Sequence, residues 1–86
     1  MRLSDEHLEL LMQAACRAHG VYVESGNLVL AGSLVGGRLC RARDDSEGPL
    51  LFATDEGMKV LLARKLVEPD EEMGGYMRTK PVRTPA

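Results

Sequence analysis

Leu50-Leu51-Phe52-Ala53-Thr54-Asp55-Glu56-Gly57-Met58-Lys59-Val60-Leu61-Leu62 is the stretch that decides the fold. It reads as a short strand turning directly into a capped helix. Thr54 can accept a hydrogen bond from an otherwise unpaired N–H of the first turn, and Asp55 and Glu56 sit where the helix dipole favours negative charge. The helix is expected to run to about Leu66 and to bury Met58, Leu61, Leu62 and Leu66. Gly57 falls in its first turn, where glycine costs helix propensity. Close approach to a neighbouring backbone is the expected compensation. Upstream, residues 38–43 read as a strand, Asp44-Asp45-Ser46-Glu47-Gly48 as a polar turn, and Leu50 to Ala53 as the returning strand. Together they predict a β-hairpin with a charged tip, its Pro49 suited to a strand start or an edge.

Toward the N-terminus, residues 4–19 predict an amphipathic helix. Ser4 suits the N-cap, and Leu3 and Leu8 have the spacing of a hydrophobic staple. Leu8, Leu11, Met12, Ala15 and Cys16 follow the spacing of one buried face. Arg17 and His19 suit the negative end, and Gly20 suits the residue beyond it. Val21-Tyr22-Val23 is β-prone, and Glu24-Ser25-Gly26-Asn27 is a turn signal. The apolar run from Leu28 to Leu39, broken by Gly32, Gly36 and Gly37, admits two readings. It is a short helix capped by Asn27, the favoured reading, or Leu28–Leu30 pairs with Val21–Val23 in a hairpin. Periodicity does not separate them.

The chain has 86 residues, enough for one small domain. With two Tyr, one Phe and no Trp, its core must be aliphatic. The net charge of −2 lacks the positive excess of most autonomous nucleic-acid binders. Cys16 and Cys40 stand alone, too few for a disulfide scaffold and too isolated for a zinc site. No apolar run approaches the roughly 20 residues of a membrane helix, and the N-terminus shows no signal-peptide pattern. No membrane partner and a cytoplasmic location are therefore expected. Residues 1–68 read as the domain. Residues 69–86 read as an acidic cluster (Asp70, Glu71, Glu72, with Glu68 just before it) and a flexible basic tail carrying Arg78, Lys80 and Arg83.

The order helix, short strand, short apolar helix, β-hairpin, capped helix resembles a winged-helix domain over about residues 4–67, which implies an α+β fold. The residues carrying the resemblance are Ser33-Leu34-Val35-Gly36-Gly37-Arg38-Leu39-Cys40-Arg41, then the polar turn, then Leu51-Phe52-Ala53-Thr54-Asp55-Glu56-Gly57-Met58-Lys59-Val60-Leu61-Leu62. The family's Leu-Thr-acid-x-Gly segment begins Ala-Thr here. Only two helices precede the wing, where a full winged helix has three. The segment in the place of the recognition helix carries no Arg, Lys, Asn or Gln from Leu28 to Val35, so it lacks the side chains of direct base readout.

No constellation points to catalysis, a metal or a cofactor. Asp44, Asp45 and Glu47 lie in an exposed turn, His7 and His19 are twelve residues apart, and the glycines of 32–37 lack the spacing of a phosphate loop. The expectation is a small non-enzymatic interaction module, an accessory regulator or inhibitor that binds a protein through Leu28, Leu30, Leu34 and Val35. Self-association as a homodimer through the same surface is consistent with this. Its size suits an accessory protein of a phage or other mobile element. The alternative is a winged-helix DNA-binding regulator using Asn27, the wing arginines Arg41 and Arg43, and the tail residues Arg78 and Lys80. The basic side chains Arg38, Arg41, Arg43, Lys59, Arg64 and Lys65 read as a phosphate patch or as solvated charges.

Overall fold

The computed structural model describes residues 3–72 and 74–79. Its elements are α1 (Asp5–Cys16), β1 (Val21–Tyr22), α2 (Leu28–Gly36), β2 (Cys40–Asp45), β3 (Gly48–Ala53), α3 (Asp55–Ala63), β4 (Val67–Pro69) and β5 (Tyr76–Arg78). The fold is α+β, with three helices and two antiparallel sheets. The ambiguous run 28–39 is helical in its first part. β1 does not pair with it; β1 pairs with β3, Val21 opposite Leu51, and the larger sheet has the order β1-β3-β2.

The predicted strand-to-helix joint sits between α2 and α3. Thr54 Oγ1 accepts a 3.2 Å hydrogen bond from the Gly57 N–H and donates a 2.7 Å bond to the Arg38 carbonyl. The Thr54 N–H donates to the Leu39 carbonyl at 3.0 Å. Gly57 is buried, and a Cβ there would run into the Leu39 carbonyl and meet the Leu11 side chain. The first turn of α3 therefore lies against the backbone that leads from α2 into β2, as the glycine's position predicted.

Four leucines fill the centre with no exposed surface: Leu11 of α1, Leu34 of α2, Leu51 of β3 and Leu61 of α3. Around them Leu8, Leu10, Ala14, Val21, Ala31, Cys40 and Val67 complete an aliphatic core. Helix α1 touches α2, β3, α3 and β5, so its buried face is wider than one stripe. Leu10 and Ala14 join that face, whereas Met12, Ala15 and Cys16 lie at its margin. Leu62, expected inside, is 38% exposed because Leu61 takes the core position on α3.

Helix ends differ most from the sequence expectations. Helix α1 stops at Cys16 rather than at residue 19, since Arg17 is already extended. Gly20, with φ +79°, then lets the chain pass over Phe52 on its way into β1. At the other end His7, rather than a Glu, completes the capping box with Ser4. Helix α2 ends in a Schellman motif: Leu39 N–H donates to Leu34 O and Arg38 N–H to Val35 O. The left-handed residue of this motif is Arg38 (φ +63°), not the neighbouring Gly37. Helix α3 ends the same way, with Lys65 at φ +58°. Because residue 38 belongs to this cap, the strand begins at Cys40. It continues to Asp45, which leaves a tight turn at Ser46-Glu47.

The expected flexible tail is corrected for the described residues. Val67 pairs with Arg78 and Pro69 with Tyr76 in a second hairpin, which Val67 ties to the core. Arg78 grips Glu9 of α1 through both terminal guanidinium nitrogens, Nη2 at 2.7 Å and Nη1 at 3.2 Å. Lys80 and Arg83 lie outside the described residues.

Four expected outcomes follow from this framework. Gly57→Ala should lose about 1–3 kcal/mol in urea unfolding through overpacking, even though alanine favours helix. Thr54→Ala should lose about 1 kcal/mol as the cap disappears. A neutral Gly57→Ala would contradict the packing of the joint. Arg38→Gly should raise stability by up to about 1 kcal/mol by relieving the left-handed conformation, and a loss of that size would contradict this assignment. The fourth outcome concerns pH. The Arg78 guanidinium, helped by Gln13, holds the Glu9 carboxyl below its usual value. A lowered carboxyl pKa stabilises the fold above its unfolded-state value, and that contribution is lost as pH falls through the folded-state value. The melting-temperature gap between wild type and Arg78→Ala should hold at neutral pH and close in acid below the ordinary glutamate range. A gap unchanged down to pH of about 2 would show that the ion pair is not its source.

Candidate protein-binding surface

Helix α2 carries no charged residue, and Ser33 is its one polar side chain. A helix that is apolar all round is normally covered on every side. Here one side is covered: Ala31 and Leu34 point into the core. On the other side Val29 is 81% exposed, Leu28 59% and Val35 38%. Gly32 and Gly36 lie exposed on the same turns, and a Cβ at either would meet nothing within 4 Å. Neither glycine is thus required by packing within the chain, although each costs α2 helix propensity.

The expected partner-binding residues divide in two. Leu28 and Val35 are on the open surface, and Leu30 is half-buried at its edge. Leu34 is not available: it is fully buried, because residues 31 and 34 together form the inward face. Val29 was missing from the expected set. Once Ala31 and Leu34 are known to point inward, the 100° step of a helix places residue 29 nearly opposite them.

A groove of about 480 Å³ separates α1 from α2. Leu10 and Leu30 form its apolar part, with Asp5, Glu6, Glu9 and Gln13 along α1 and Asn27 at the start of α2. A second concavity of about 520 Å³ lies on the open face of the sheet, lined among others by His19, Tyr22, Arg43, Asp45 and Phe52. Its charges are mixed. The Tyr22 hydroxyl donates to Asp45 at 2.9 Å and to Glu47 at 3.2 Å, which pushes the phenol up to about 12. The same hydroxyl, then the Ser46 backbone and Arg43, hold the Asp45 carboxyl below its usual range.

The candidate nucleic-acid residues are not brought together. Asn27 is committed to its own turn: its Oδ1 accepts from the Glu24 N–H at 2.7 Å and its Nδ2 donates to the Tyr22 carbonyl at 3.3 Å. Both ends of its side-chain amide are thus engaged within the turn. Arg78 is held by Glu9, and Lys80 lies outside the described residues. Arg41 and Arg43 do share one face of β2, as strand alternation predicts, opposite Phe52 and Leu50. Arg41 lies 5.8 Å from the centre of the Phe52 ring, a cation–π arrangement. Arg43 is exposed beside the acidic tip of the β2–β3 hairpin.

The thiols are free. Burial pushes Cys40 up to about 12 and raises Cys16, so both favour the protonated, unreactive form. Among the described residues no group of three or more His, Cys, Asp or Glu is placed to hold a metal ion, and no helix is long and apolar enough to cross a membrane. Compared with family models, with curated proteins and with solved structures, the chain matches none, so the surface of α2 stands on its own geometry.

Proposed function

We propose that this protein is a small non-enzymatic interaction module, an accessory regulator or inhibitor that binds a protein partner through the outer face of α2. The frame we assign to it is winged-helix-like, with α2 in the position of the recognition helix and the β2–β3 hairpin as the wing. The observation that carries the reading is the uncharged outer face of α2, where Val29, Leu28 and Val35 stand in solvent. Grouped exposed apolar side chains on a soluble domain mark a site of association. Exposed glycines add to this, because they let a second backbone approach closely. Two free thiols suit a reducing, cytoplasmic setting.

A DNA-binding regulator is the second reading, supported by exposed Arg41 and Arg43 on one face of β2. It has less support than the first. Asn27 and Arg78 are already engaged, and α2 carries no Arg, Lys, Asn or Gln to read base edges.

Val29→Glu tests the first reading. The position is open, so folding stability should change by less than about 0.5 kcal/mol. A tagged wild-type chain should retain a protein from an extract of its source cells that the Val29→Glu chain does not retain. Identical retained sets would contradict the proposal. Retention of duplex DNA at low salt, lost in Arg41→Ala/Arg43→Ala, would favour the second reading.

A further inference from the structure

The groove between α1 and α2 adds a charge preference that α2 alone does not have. Its apolar part is Leu10 and Leu30, its α1 wall carries Asp5, Glu6 and Glu9, and among the described residues no basic side chain lines it. Leu30 adjoins exposed Val29, so the groove opens onto the outer face of α2. The combined surface is apolar along α2 and negative along α1. Glu9 is held by Arg78. Asp5 and Glu6 are exposed, and among the described residues their side chains make no hydrogen bond or ion pair.

We infer that the segment bound here is an amphipathic helix with a basic flank. Its apolar stripe lies on Leu30 and Val29, and its lysines or arginines face Asp5 and Glu6. The inference rests on the reading of α2 as the binding face and deepens it by naming the chemistry of the partner. Charge complementarity selects this occupant. An acidic amphipathic helix would set like charges along the α1 wall, and opposite-charge matching is what orients and discriminates partners at such an edge. A helix laid in an apolar groove also needs no free strand edge on the partner, only anchors at helical spacing.

The test is a titration of the full-length, isotope-labelled chain with a model Leu/Lys amphipathic helix of about five turns and with its Leu/Glu counterpart. The Leu/Lys helix should shift the signals of Leu10, Leu30 and Val29 and bind roughly tenfold more tightly than the Leu/Glu helix. Moderate salt should shrink that preference, and so should the Asp5→Asn/Glu6→Gln double variant. The Val29→Glu chain should keep its fold, because the position is open, and lose the shifts. Equal binding of the two helices at Val29 would leave α2 as the binding face and overturn the basic partner. No shift from either helix, or shifts confined to β2, would overturn both. A stable dimer that Val29→Glu dissociates would assign the face to a second copy, and that too would overturn the basic partner.

Discussion

The contact of the first turn of α3 with the backbone around Leu39 is the constraint on which the rest of the structure depends. Thr54 binds both sides of the joint: its hydroxyl donates to Arg38 and accepts from Gly57, and its N–H donates to Leu39. Gly57 makes this approach possible, since any side chain would meet the Leu39 carbonyl. The joint therefore holds the end of α2, the start of β2 and the start of α3 together at one point. Each of these elements contributes one face to the core, so fixing their junction brings Leu34 and Leu61 against Leu11 and Leu51.

This geometry also determines what α2 leaves outside. Its end is fixed by the Schellman hydrogen bonds from Arg38 and Leu39, and its inward face by Ala31 and Leu34. Rotation to bury Val29 would expose Leu34, a poor exchange in a core whose largest fully buried side chains are four leucines. The open apolar face is thus a consequence of how the helix is anchored. The left-handed backbone at Arg38 and Lys65 is a local cost accepted at two helix ends where a glycine would relieve it.

Much of this was legible in the sequence because the signals were local. Ser4, Thr54 and the acidic residues beside them mark two helix starts, and Gly57 announced a close contact before the contacting backbone was known. What stayed hidden depended on distant partners. Leu34 and Leu62 look interchangeable with their neighbours until the helices are docked, since in short apolar runs several phases fit a 3.6-residue period. The start of β2 was placed too early because Arg38 reads as strand, yet the hydrogen bonds make it the left-handed residue of the cap that ends α2. The second hairpin was missed because the acidic residues after Pro69 resemble a solvated linker. Its pairing depends on Val67 reaching the core and on Arg78 reaching Glu9, sixty-nine residues away. Of the candidate site, Leu28 and Val35 were readable as exposed apolar residues, whereas Val29 needed the orientation of the helix.

The most direct test of the account compares methyl spectra of the labelled chain in buffer and in an extract of its source cells. The account predicts that the Leu28, Val29 and Val35 methyl signals shift or broaden in the extract, while those of Leu11, Leu51 and Leu61 hold their positions. Unchanged signals from Leu28, Val29 and Val35, with perturbation instead around Arg41 and Arg43, would contradict it.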